Sequence, residues 1–269
     1  YICDVVDVKL SEPEFEKEGL AFKKKSMDMK TLTAIDSKVK SGQNLTGEEL
    51  VFLYEVNSPI EGFGYQKDPR IAELRSQRNS EEDIPVVFGC EASEIAHTPL
   101  QIKADTKAYV GSSVPGIFDR LLKYNIEHVY TSFPEGKIRM QKLEIGGKSK
   151  QQLVAEMKKA GINIYDSAQQ MIDTPDFTTL PQKDDIDLVR LRVQDLGLRG
   201  NQTTDEVYAR ASELGLDLCP AEVGPHLRLK DTNQPLEEWD FIGMKQIALR
   251  DGSPRVFSLA RLGDGLLLN

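Results

Sequence analysis

The stretch LCPAEVGPHLRLK, Leu218 to Lys230, holds a thiol, a carboxylate, an imidazole and a guanidinium between Cys219 and Arg228. Cys219, Glu222 and His226 are the side chains a thiol-dependent hydrolase or transferase would use, as nucleophile, orienting group and base. Offsets of three and seven would put them on one face of a continuous helix. Gly224 and Pro225 speak against that helix, so Pro220 is expected to open no more than the single turn Pro220–Val223. Attack by Cys219 also needs a thiolate, stabilised by His226 or by a helix N-terminus just before Pro220. The competing reading is a small buried cysteine closing the strand Leu216–Cys219.

The same stretch supports a second chemistry. Read as a strand, His226–Lys230 sends Leu227 and Leu229 to a core and puts His226, Arg228 and Lys230 on the other face. DLVRLRV repeats the pattern, with Val189 and Leu191 one way and Arg190 and Arg192 the other. The planar fork of arginine matches a carboxylate or phosphate in two parallel bonds. If both strands share a sheet, Arg190, Arg192, His226, Arg228 and Lys230 line a surface for an anionic group. The alternative is a solvated face whose arginines pair with Asp187, Glu222 or Asp240.

Three further patterns carry less. GFGYQK resembles a dinucleotide loop at Gly62 and Gly64, but Lys67 stands where the third glycine is needed and Pro59 interrupts any preceding strand. GGKSK fails the phosphate-loop pattern at Lys142, which leaves only a generic helix N-terminus. Cys90 with His97, and Cys219 with His226, are spaced too widely for a zinc knuckle, so no metal is expected.

The elements that must position these groups follow from local signals. Capping boxes at Thr46–Glu49 and Thr203–Glu206, and Asp68 before Pro69, mark helix starts. LTAIDSKVKSG, PGIFDRLLKY, SKQQLVAEMKKAG and DSAQQMID also read as helices. IPVVFGC, KAYVG and the pair EHVYTSF/KIRMQKLEI around a Pro134–Gly136 turn read as strands, as do EWDFIGMKQIAL, PRVFSLAR and GLLL. The expected fold is α+β: a helical N-terminal part (1–82), a mixed α/β middle (83–180) and a C-terminal antiparallel meander with one packed helix (181–269). Residues 1–180 hold 18 Lys and 5 Arg, residues 181–269 hold 3 Lys and 8 Arg, and that change of type sets the second boundary near TTLPQKDD.

Composition narrows the function classes. A net charge of -9 argues against a nucleic-acid partner, which requires a basic surface. No apolar run is long enough to span a bilayer, and YICDVVDVKL lacks the features of a signal peptide. Three scattered cysteines suit a reducing, cytoplasmic compartment. The ending GDGLLLN reads as a strand cut short.

The segments GYQKDPRI, YTSFPEGK, DLVRL and CPAEVGPHLRL resemble a group of uncharacterised bacterial proteins, from about Leu32 onward. The group has no established activity, so the resemblance implies no role for any residue. The leading expectation is a soluble cytoplasmic binding or interaction module, without a cofactor. Its partner would be an anionic small molecule or an acidic protein segment. The rivals are a Cys219-dependent enzyme and a structural part of a larger polypeptide.

Overall fold

The computed structural model describes residues 16–269 apart from Tyr65, with side chains from residue 19 onward. The opening segment YICDVVDVKL, with Cys3, lies outside the described residues, as does the central tyrosine of GFGYQK. The fold is α+β, with helices leading and short strands concentrated toward the end. The described chain gathers into two compact units. The first runs up to Gly111 and includes Tyr124–Lys137; the second joins Ser112–Lys123 to Ile138–Asn269.

Among the described residues of the first unit the α-helices α1 (Glu16–Lys40), α2 (Gly47–Leu53), α3 (Pro69–Ser76) and α4 (Ser80–Phe88) precede the strands β1 (Ile95–Ala96), β2 (Ala108–Val110) and β3 (His128–Tyr130). The strands pair in parallel, β1 to β2 and β2 to β3. The expected caps form: Thr46 and Glu49 exchange hydrogen bonds at 3.3 and 2.8 Å, and Asp68 caps α3 ahead of Pro69. IPVVFGC, expected as a strand, is the C-terminal half of α4. Asn79 caps that helix, three acids fill its first turn and Gly89 ends it in the left-handed region, so end signals overrode a short apolar run. Leu32, Ile35, Leu53, Ile71 and Leu74 form one core cluster; Leu50, Ile84, Val87, Phe88 and Tyr130 belong to another.

The second unit contains α5 (Ile117–Lys123), all but the first residue of β4 (Lys137–Ile145), α6 (Lys150–Lys159), β5 (Asn163–Ile164), α7 (Asp166–Asp173), β6 (Asp184–Arg190), α8 (Thr204–Glu213) and α9 (Val223–Lys230). Short strands follow: β7 (Trp239–Phe241), β8 (Ile247–Ala248), β9 (Pro254–Arg255), β10 (Ser258–Leu262) and β11 (Gly265–Leu268). β4 and β6 pair antiparallel from Arg139–Arg190 to Ile145–Asp184. That pairing reaches across the point where lysine gives way to arginine, so the compositional change lies inside this unit. The meander exists as β7–β10–β11, with β5 added in parallel beyond β11.

The run EWDFIGMKQIAL is not one strand. It breaks between β7 and β8, where the Cys219 N–H donates to the Gly243 carbonyl at 2.7 Å and Cys219 bridges to Met244. The helix packed on this sheet is α9, which lies against β10, β11 and α6. Val223, Phe257, Leu259, Leu268, Leu153 and Met157 close the core between them.

Candidate functional site

The stretch that raised the chemical question folds as a turn and a helix. Cys219 is tied to Gly243, Pro220–Glu222 form a turn, and α9 begins at Val223. Pro225 does not forbid this helix, because it falls at the third helical position. The first N–H groups of a helix have no acceptor within it, so a proline there removes nothing. Gly224 is required by packing: a Cβ there would lie 2.8 Å from Cβ and Cγ of the buried Phe257. The expected strand His226–Lys230 is therefore replaced by a helix. The two-residue alternation that would have aligned His226, Arg228 and Lys230 becomes a rotation of about 100° per residue.

The consequence for the guanidiniums is decisive. Arg228 is 0 % exposed. Its Nη1 donates to Gln234 Oε1 at 2.6 Å and to the Ala260 carbonyl at 3.1 Å, and its Nη2 donates to the Asp231 carbonyl. Burial pushes its pKa down, with Asp231 and Asp240 opposing that shift. Arg190, at the end of β6, faces three carboxylates: Asp240 at 2.7 Å, Glu238 at 2.9 Å and Asp231 at 3.8 Å. The Glu238 contact is an ion pair without hydrogen-bond alignment, since both of its atoms lack a hydrogen-bond partner. Burial raises the pKa of Asp240 although Arg190 works against it.

Arg192 stands apart, just beyond β6. Its Nε and Nη2 grip the buried Asp195 at 3.0 and 2.9 Å, fixing a tight turn. The Lys230 ammonium donates to the Lys142 carbonyl. The five basic residues thus do not share one surface: Arg190 and Arg228 share one network, Arg192 closes a turn, Lys230 reaches β4 at Lys142, and His226 lies beside Glu222. Asp240 had been visible in the sequence as a pairing acid; Asp231, Glu238 and Gln234 had not.

Glu222 and His226 do meet. Glu222 is 1 % exposed, and its carboxylate accepts the Gly146 N–H at 3.1 Å and the Leu180 N–H at 2.9 Å. Gly146 and Gly147 both have positive φ, the backbone form that turns amides toward an anion. The GGKSK turn therefore carries an anion, supplied by the protein itself. His226 Nε2 lies 3.5 Å from Glu222 Oε2, and burial lowers the imidazole pKa despite that neighbour. Cys219 does not complete a triad. Burial raises its thiol pKa, and no hydrogen bond or ion pair joins it to Glu222 or His226; the Tyr208 hydroxyl donates to the Met244 carbonyl at 2.9 Å. Among the described residues no cluster of three or more His, Cys, Asp or Glu could hold a metal ion. Nor, among them, is any helix long and apolar enough to cross a membrane.

One feature had no signal in the motif reading. Asp240 lies on β7, the last strand of the four-stranded sheet. Its neighbours Trp239 and Phe241 point the opposite way and are 42 % and 69 % exposed, and Leu236 just before the strand is 56 % exposed. Beside Phe241 a cavity of about 340 Å³ opens between α7, the β8–β9 ladder and the start of β10. Period-two alternation could have paired Trp239 with Phe241, but only the sheet order makes β7 an edge.

No family model, curated protein or solved structure matches this chain. Any functional reading therefore rests on the geometry itself.

Proposed function

We propose that the second unit is a protein-binding module that accepts an extended segment of a partner along the free edge of β7. The observation that carries this is the pair Trp239 and Phe241, exposed on one face of an edge strand. An edge strand offers unpaired main-chain donors and acceptors, and a segment added to it gains hydrogen bonds from backbone and specificity from alternate side chains. Edges that are meant to stay bare are commonly blunted by charge or proline, whereas aromatic side chains on an edge favour occupancy. Here the charged residue of the strand points inward: Asp240 sits 2.7 Å from Arg190. That contact pins β7 from behind and leaves its outer face to the aromatics.

This keeps the interaction-module class suggested by the sequence and moves the recognition element. The arginines of the expected anion surface already face internal acids and carbonyls, while Trp239 and Phe241 do not face a buried core. Trp239 is also the single tryptophan of the chain, so its emission reports on β7 directly. The test titrates the intact chain with tryptophan-free peptides of alternating apolar residues, following Trp239 emission and amide exchange across Trp239–Phe241. The expected result is a blue-shifted emission and slowed exchange for a subset of peptides, lost in Phe241→Ser. Emission and exchange unchanged by every peptide would overturn the proposal. So would sedimentation showing that the chain itself pairs through β7.

A further inference from the structure

The cavity beside Phe241 has walls of Met171, Leu249, Val256 and Phe241, with Ser258 on its polar side and Arg255 at its exposed rim. Phe241 and Ser258 are direct partners across the β7–β10 ladder. Residues paired in this way share a face of the sheet. The cavity therefore opens on the face that carries Trp239 and Phe241. Apolar cavities of roughly 150 Å³ already hold a benzene-sized group, so about 340 Å³ has room for a large apolar side chain.

The charges around it are unequal. Arg255 is exposed, and its guanidinium forms no ion pair among the described residues, unlike Arg190, Arg192 and Arg210. Lys245 and Arg250, in the chain segments on either side of β8, are exposed bases as well. At the other end of β7 Glu237 is exposed beside the exposed Arg261, while Glu238 is half-buried and pairs with Arg190. In a protein of net charge -9, Arg255 thus sets an exposed base at the rim of this cavity, with the exposed Asp251 as the acid that acts on it.

Resting on the β7 reading, we propose that this cavity is its specificity pocket. It takes a large apolar side chain of the bound segment, and Arg255 pairs with an acidic residue two positions along on the same face. Period-two geometry fixes that spacing. The partner is therefore a protein bearing an extended apolar-x-acidic segment.

The test uses tryptophan-free peptides in three forms: the apolar-x-acidic pattern, the same with the acid changed to lysine, and the same with the apolar residue changed to serine. Wild-type chain should bind the first about tenfold more tightly than the second, an effect typical of an exposed but well-placed charge. It should bind the third weakly. Arg255→Glu, an exposed substitution that leaves the core intact, should invert the acid–lysine preference. If wild type shows no preference, or Arg255→Glu leaves it unchanged, while Phe241→Ser still abolishes binding, the pocket assignment fails and the β7 reading stands. If none of the peptides perturbs Trp239, both fail.

Discussion

The guanidinium of Arg228 is held by Gln234 and by the carbonyls of Asp231 and Ala260, all neutral acceptors. Its charge is balanced at longer range by Asp231 and Asp240. A planar fork can satisfy several acceptors at once, whereas an ammonium acts from a single point. Arg228→Lys should therefore lower stability by about 2–4 kcal/mol, because part of the acceptor set is left buried and unpaired. Urea unfolding measures this, and an unchanged midpoint would show that the fork is dispensable. The pairing of arginine with acid was legible in the sequence, down to Asp240. Which arginine would be buried was not, because that depends on the rotation of α9, and leucines at 227 and 229 fit a strand as readily as a short helix. For the same reason the Glu222–His226 contact was legible as a spacing, while the use of Glu222 to fill the Gly146 turn was not. That bond spans distant parts of the chain.

Helix starts with local chemistry were readable, since their signals sit within four residues. Thr46–Glu49, Ser149 with Gln152, and Thr203–Glu206 all close as capping boxes. Elements decided by distant contacts were misread, the end of α9 as a strand and β7–β8 as one strand; the end of α4 was read as a strand from its short apolar run although its own caps mark a helix. In α9 the deciding contact is Gly224 against Phe257. The backbone of Gly224 is not in the left-handed region, so any cost of adding a side chain there comes from packing alone. Gly224→Ala should destabilise by roughly 1–3 kcal/mol, the range for forcing an extra methyl into a filled core. The expected signature is a lower urea midpoint with an unchanged slope. A midpoint equal to wild type would mean that Phe257 can step aside.

Across the whole molecule, carboxylates are held below their ordinary pKa values by specific donors. Lys38 does so for Glu49, Arg70 for Asp68, Lys183 for Glu144, the Thr203 backbone for Glu206 and Ser253 for Asp251. A depressed folded-state pKa means that the unfolded chain binds more protons, so this stability is present above the ordinary values of 3.8 and 4.5 and is lost as pH falls through the folded ones. His128 and His226, lowered chiefly by burial, act with the same sign from their ordinary value of 6.5 downward. Asp240 acts oppositely: its burial-raised pKa favours the fold below 3.8, and that contribution is lost as pH rises through the folded value. Thermal unfolding followed from pH 8 to pH 3 should show a mild decline below about 6.5 and a steep one below about 4.5. Stability that climbs between pH 7 and pH 5 would contradict these assignments. In the second unit, β4 and β6 are adjacent in the sheet although α6, β5 and α7 separate them in sequence. A polypeptide that stopped at Leu180 would strip β4 of that neighbour, baring the seam from Arg139 to Ile145, seven residues of amides and carbonyls. Such a fragment would stick to its own copies, and so the chain must be handled whole across that point.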